Sequence, residues 1–273
     1  MGSADWTAFG HDHELGLDEV QGLRRDTEKA WGWVRSPTGS EFFQGGNDDL
    51  IALRFLTGHD YEPVTRALWR RLCEDAPLVA DVGTHSGVFS LDAYRAGAKK
   101  VLCVEPNPIN YARLVLNLRH AGYGCDYLVF GALGDENSVR PLSVTNLVFC
   151  NAAGAVNGPG RLTIPTSVFR MDAVVPEAAW PGLKAVKIDA ENLTGAVLRG
   201  MGRILEHRPD LIIECIEPGL AEILRPYGYR FWRIWETGKI EEVDDLAPYN
   251  PDGNYNGTHE DCRNRFASVR ALP

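Results

Sequence analysis

Two groups of residues in this 273-residue chain have the types and spacing for chemistry. The first is the run LVADVGTHSG, residues 78–87. An apolar strand there ends in Asp81-Val82-Gly83, a turn carries Thr84 and His85, and Gly87 opens a helix, so the backbone can pass close to a ligand at the carboxyl edge of a sheet. About twenty residues on, a second apolar run ends in Glu105, followed by Pro106 and Asn107, and a carboxylate there can accept hydrogen bonds from both ribose hydroxyls of a nucleoside. The spacing G-x-x-x-G puts Thr84 and His85 where a pyrophosphate site needs its second glycine, and Asp81 suits a cationic amino-acid group better than a diphosphate. Together these features favour S-adenosylmethionine over a dinucleotide. The second group is Lys187, Asp189 and Glu191, which alternate along one side of an extended segment, with Glu214 at the end of the next apolar run. Charges inside apolar strands are costly unless paired or functional. Either Lys187 and Glu214 form a buried ion pair, or Asp189 or Glu191 orients or deprotonates a substrate hydroxyl or joins the oxygen ligands of a Mg²⁺ ion.

The surrounding pattern supplies a scaffold for both groups. From Pro77, short apolar runs alternate with helical stretches: LVADV, a helix over Val88–Ala96, KVLCVE, a helix over Ile109–Ala121, then DYLVF. Such alternation predicts parallel βαβ units with right-handed crossovers. Between residues 134 and 165 the helical period disappears, and LSVTNLVF and GRLTIPTSVF predict an inserted β-hairpin. Alternation resumes with AVKIDA, a helix over Leu193–Leu205, DLIIECI, a short helix over Gly219–Leu224, YRFWRIW and RFASVRA, the last two strands antiparallel to their neighbours. The expected fold is a doubly wound, mixed α/β sheet of seven strands in a domain over residues 76–273. Residues 1–75, polar and aromatic-rich with helical patterns at Leu17–Trp33 and Glu62–Cys73, read as an N-terminal helical cap.

Composition narrows the functional class. The length fits one large or two small domains, and 44% hydrophobic with 24% charged residues is ordinary for a soluble globular protein. With 28 Lys and Arg against 37 Asp and Glu, the formal net charge of −9 argues against a nucleic-acid or anionic-membrane binder. Arg66, Arg70 and Arg71 read as a solvated helix face. The longest weakly polar stretch, Leu147–Val156, is too short to span a bilayer, and the opening MGSADWTAFG lacks an apolar signal region, so a soluble cytoplasmic protein is expected. Six cysteines without a C-x-x-C pair read as reduced core residues. Among weaker candidates, His11 and His13 suit a solvated tail. Trp31, Trp33, Phe42 and Phe43 suit cap packing or an apolar acceptor wall, and Trp232 and Trp235 core or edge packing. His207 and Arg208 suit a helix C-terminus, and the sequon at Asn256 has no role in a cytoplasmic chain.

The blocks YEPVTRALWRRL, VADVGTHSGVFS, VLCVEPNPINYARLVLNL, GALGD, PTSVFRMDAV, LKAVKIDAENLTGAVLRGMGRIL and PDLIIECIEPG resemble, in order and spacing, those of FkbM-family methyltransferases. These are class I S-adenosylmethionine-dependent enzymes. The resemblance runs from about Phe43 to the C-terminal strand and implies a seven-stranded Rossmann-like sheet and, for most members, O-methylation in natural-product and sugar pathways. By carry-over, Asp81, Gly83, Thr84, His85 and Gly87 form the cofactor turn, Glu105 with Pro106 and Asn107 holds the ribose, and Gly131, Ala132 and Leu133 lie near the adenine. Lys187, Asp189, Glu191, Glu214 and His85 are the catalytic candidates, and Asp189 is also a cofactor-binding candidate. The family's K-I-D-x-E-G-x-E becomes Lys187-Ile188-Asp189-Ala190-Glu191-Asn192, with Thr194 in place of the last acid. The function expected is O-methylation of a small hydroxylated acceptor. N-methylation of an amine or peptide, and a non-catalytic nucleotide-binding module, are the alternatives.

Overall fold

The computed structural model describes residues 5–10, 17–144, 154–156, 162–190, 193–214, 217–246 and 263–273. The N-terminal region contains α1 (Leu17–Asp26), the strands β1 (Trp31–Arg35) and β2 (Glu41–Gly45), and the helices α2 (Leu50–Leu56) and α3 (Pro63–Cys73). A helix across Leu17–Trp33, expected from the sequence, stops at Asp26. Gly32 adopts φ +132°, and the alternating Trp31-Gly32-Trp33-Val34-Arg35 pairs antiparallel with β2, Trp33 opposite Phe43. Ser36-Pro37-Thr38-Gly39-Ser40 closes this hairpin, with Gly39 at φ +87°.

The main series follows as β3 (Leu78–Val82), α4 (Val88–Arg95), β4 (Val101–Glu105), α5 (Pro108–His120) and β5 (Leu128–Phe130). After the insertion come α6 (Met171–Val174), β10 (Leu183–Ile188), α7 (Thr194–Met201), β11 (Asp210–Glu214), α8 (Leu220–Leu224), β12 (Arg230–Trp235), β13 (Lys239–Val243) and β14 (Asn264–Ser268). The insertion itself holds β6 (Ala132–Leu133), β7 (Ser138–Val144), β8 (Gly154–Val156) and β9 (Leu162–Phe169). β7 and β9 form the expected antiparallel pair, Leu142 opposite Ile164. β6 and β8 widen it to a separate four-stranded sheet.

The large sheet runs β13-β12-β14-β11-β10-β3-β4-β5. Strands β11, β10, β3, β4 and β5 are parallel, while β14 is antiparallel to both β11 and β12. A hairpin partner, β13, adds an eighth strand at the edge. Helices α3, α4 and α5 cover one face, where Leu68, Trp69, Leu91 and Leu114 pack with Val79, Cys103 and Ala185. On the other, Val197, Met201 and Leu224 pack with Ala80, Val104 and Ile213. Trp69 on α3 donates from Nε1 to the Phe89 carbonyl at 2.8 Å. Arg66, expected on a solvated face, is instead buried between Asp92 at 2.7 Å and Asp60 at 2.6 Å, since α3 points it toward α4. Arg70 shares Asp92, and Arg71 lies over the Trp6 ring. Trp232 is buried in the first core, and the Trp235 indole donates to Glu241. His207 closes a 3₁₀ turn beyond α7. Among the described residues, no helix is long and apolar enough to cross a membrane.

The chain leaves β3 toward β4 and β5 on one side, while β10 and β11 lie on the other. Strand order therefore reverses between β3 and β10, and the carboxyl ends of these two strands open a crevice at the switch point.

Candidate active site at the switch point

Gly83 and Asp189 meet across this crevice. The Asp189 amide donates to the Val82 carbonyl at 2.9 Å, and Gly83 has φ +80°. A Cβ at position 83 would fall 1.7 Å from the Asp189 carbonyl oxygen, so only glycine fits. The turn is fastened from below. Thr84 Oγ1 donates to the Asp81 carbonyl at 2.8 Å and accepts from the Val104 amide at 3.0 Å, while Gly87, at φ +98°, starts α4. Glu105 joins the turn to α5: one carboxylate oxygen accepts from the His85 amide and the other from the Asn107 amide, both at 2.8 Å. Each oxygen keeps a lone pair for a further donor. Burial pushes the Glu105 carboxyl up, against the pull of the His85 ring and of these two bonds. Asn107 Oδ1 caps α5 through the Ile109 amide, and Gly131 bonds back to the Glu105 carbonyl. Ala132 and Leu133 are buried strand residues of β6. His85 is half-buried at φ +53°, its Nδ1 3.2 Å from Ser86 Oγ.

Asp81 lies beneath the turn, 1% exposed, and accepts from Ser90 Oγ at 2.7 Å, so its charge reaches the crevice through the turn and not by open contact. Burial pushes its carboxyl up to about 6, against the Ser90 bond and the Lys187 charge. With the folded value above the unfolded one, folded Asp81 holds its proton more firmly between these values. Its ionisation costs stability as pH rises through that window, a penalty of up to about 3 kcal/mol fully present above pH 6 and absent below about pH 4. Asp81→Asn is therefore expected to raise the melting temperature of the unliganded protein at pH 8 more than at pH 4. An equal change at both pH values in scanning calorimetry would show that Asp81 carries no such cost.

Beyond Asp81 a chain of alternating charge crosses the sheet edge. Lys187, 1% exposed, lies over the Phe89 ring with its ammonium 3.4 Å from Asp189 Oδ2. Its ion-pair partner is thus Asp189, where one of the two sequence readings paired it with Glu214, because Lys187 and Asp189 project from one face of the same extended segment. Glu214 lies beside Asp189; its Oε1 is 3.8 Å from Arg263, and Arg263 reaches Glu62 at 2.8 Å. Burial opposes the Asp189 charge, but the charges of Lys187 and Arg263 hold its carboxyl below the usual range. The side chain is still 23% exposed, so the carboxylate is open to the crevice.

Glu62, Tyr61, Arg54 and Arg263 were not among the sequence candidates. Glu62 occupies a left-handed conformation, φ +44°, that non-glycine residues avoid, and its place just before Pro63 was the available signal. Arg54 lies 5.2 Å from the centroid of the Tyr61 ring, and the charges of Glu62, Arg263 and Asp189 reach that phenol. The carboxylates of Asp81, Glu105, Asp189, Glu214 and Glu62 outnumber the cations Lys187, Arg263 and Arg54 around them, an arrangement that favours a cationic ligand. Among the described residues no three His, Cys, Asp or Glu side chains converge on a metal position, and Asp189 is paired with the Lys187 ammonium. Glu191, like His11, His13 and Asn256, lies outside the described residues.

A family model described as the methyltransferase FkbM domain matches residues 81–231, more than half of the chain. Among solved structures, the chain is similar to a SAM-dependent methyltransferase from Agrobacterium tumefaciens (TM-score 0.44, 16% identity, 89% of this chain and 72% of that one). It is also similar to precorrin-6y C5,15-methyltransferase from Geobacter metallireducens (0.42, 12%, 76% and 89%) and to an rRNA methylase from Streptococcus thermophilus (0.40, 12%, 76% and 96%). No curated protein matches the sequence.

Proposed function

Because the chain belongs to the FkbM methyltransferase family, we propose that it moves a methyl group from S-adenosylmethionine to a hydroxyl of a small metabolite or sugar-bearing natural product. The observation that supports this most is the crevice between β3 and β10, where the glycine turn, the Glu105 carboxylate and Asp189 come together. Glu105 has lone pairs for the ribose hydroxyls, and Gly83 and Gly87 let the turn approach the nucleoside closely. When bound, S-adenosylmethionine supplies an electrophilic methyl carried on a sulfonium. Asp189 accepts a hydrogen bond from the acceptor hydroxyl and takes its proton as the oxygen gains the methyl. Lys187 keeps Asp189 ionised, while Arg263 and Glu62 fix the Glu214 side of the pair. Residues 1–75, helices and hairpin together, act as a cap that excludes water from the domain over residues 76–273. The buried thiols Cys73 and Cys103, both free, suit a reducing cytoplasm.

The test is transfer of label from methyl-labelled S-adenosylmethionine into separate pools of hydroxylated metabolites, amines and RNA. Label in an alcohol-derived ether supports the proposal, whereas label confined to an amine or to RNA overturns the acceptor class. The acidic balance of the chain speaks against RNA. Glu105→Ala is expected to weaken S-adenosylhomocysteine binding by about tenfold or more, since it removes charge-assisted bonds to the ribose and frees the His85 and Asn107 amides. Unchanged affinity in calorimetry would remove Glu105 from the cofactor site.

A further inference from the structure

Asn117, on the inner face of α5, is fully buried and joins two segments that share no strand pairing. Its Nδ2 donates to the Ser86 carbonyl at 2.8 Å, within the glycine turn. Its Oδ1 accepts from the Phe43 amide at 2.9 Å, on the N-terminal hairpin. A primary amide both donates and accepts. Aspartate loses the donor and leucine loses both.

The hairpin is held to the same helix elsewhere. Asp48, just past β2, pairs with Arg113 at 2.6 Å, Glu41 meets His120 at 3.0 Å, and the Trp33 ring stacks on His120 with centroids 3.5 Å apart. These contacts bind hairpin to helix, and Asn117 carries the connection onward to Ser86. Ser86 lies between His85, whose amide Glu105 holds, and Gly87, which starts α4, so a shift of its carbonyl moves the part of the turn that faces the nucleoside.

We propose that Asn117 is a positioning residue that sets the glycine turn against the N-terminal hairpin and thereby couples cofactor binding to the seating of that hairpin. The proposal rests on the donor assignment made above. Linkage makes the coupling reciprocal: a ligand that fixes the Ser86 carbonyl also strengthens the bond to the Phe43 amide.

The test uses the full chain, with S-adenosylhomocysteine as the probe, calorimetry for affinity and amide hydrogen exchange at Phe43. In the wild type, exchange at Phe43 is expected to slow when the probe saturates the site. Asn117→Asp keeps the acceptor for Phe43 but loses the donor to Ser86. Its affinity is expected to fall by about tenfold or more, and exchange at Phe43 no longer to respond to the probe. His120→Ala, which loosens the outer contacts of the hairpin without touching the turn, is expected through the same linkage to weaken binding, but by less than Asn117→Asp does. Wild-type affinity in Asn117→Asp overturns the proposal, and so does exchange at Phe43 in the wild-type chain that ignores the probe. The second measurement decides even where the variant fails to fold. A wild-type chain that does not bind the probe at all overturns the donor assignment and this proposal together, whereas one that binds it without coupling overturns this proposal alone.

Discussion

Gly83→Ala is expected to abolish binding of S-adenosylhomocysteine, while Gly122→Ala leaves it intact. The two glycines have nearly the same backbone, φ +80° and φ +81°, so alanine carries the same left-handed penalty at each, on the order of 1–2 kcal/mol. Their surroundings differ. A Cβ at Gly122 meets nothing within 4 Å, whereas one at Gly83 falls 1.7 Å from the Asp189 carbonyl oxygen. That oxygen is backbone and cannot swing aside. Relief requires β3 and β10 to part at their carboxyl ends, breaking the bond from the Asp189 amide to the Val82 carbonyl and widening the crevice. Calorimetry, with circular dichroism to confirm folding, tests the pair of variants. Wild-type binding by a folded Gly83→Ala protein would show that the close approach of turn and Asp189 is not what shapes the site.

The parts of the fold that were legible in the sequence are those fixed by local pattern. Each βαβ unit announces itself by alternating apolar runs and helical periods. The turn over Gly83–Gly87 and the acid at Glu105 stand at strand ends, where side-chain spacing alone places them at the sheet edge. What escaped was set by long-range contacts. Arg66 has a helical spacing that reads as a solvated face, yet α4 brings Asp92 against it from 26 residues away. Glu62 and Arg263 are separated by 201 residues, and only the antiparallel return of β14 beside β11 brings Arg263 to the site. The hairpin over Trp31–Gly45 did carry a local sign, Pro-Thr-Gly between two alternating runs, but its aromatic residues also suited packing by helices. Asn117 lies in a sequence that reads as an ordinary amphipathic helix. Its role comes from a turn and a strand that the helix pattern does not mention.

The carboxylate at Asp189 carries the second large expectation. Asp189→Asn should lower kcat for methyl transfer to a hydroxylated acceptor by about 10²–10⁴-fold, the usual scale of general-base catalysis, while S-adenosylhomocysteine affinity stays near that of the wild type. Asparagine keeps the shape and can still accept a hydrogen bond, but it cannot take the hydroxyl proton. In the native protein that proton acceptor is available at neutral pH, because Lys187 at 3.4 Å, together with the Arg263 charge, holds the Asp189 carboxyl below its usual range despite burial. The substitution also leaves Lys187 with a weaker partner. Burying a cation beside a neutral amide costs stability, so the melting temperature should fall as well, and turnover must be compared well below it. The network gives a way to separate the two effects. Lys187 draws on Glu62, Glu214 and Asp81 besides Asp189, so the fold has other carboxylates to lean on, whereas the Asp189 side chain, 23% exposed at the crevice, has no substitute. If Asp189 instead served a divalent ion, EDTA would abolish activity in the wild type. The ammonium already seated on its carboxylate predicts that EDTA has no effect. Wild-type turnover by a folded Asp189→Asn protein would show that this acid only neutralises Lys187, and that alignment of the acceptor, or a base elsewhere such as His85, carries the reaction.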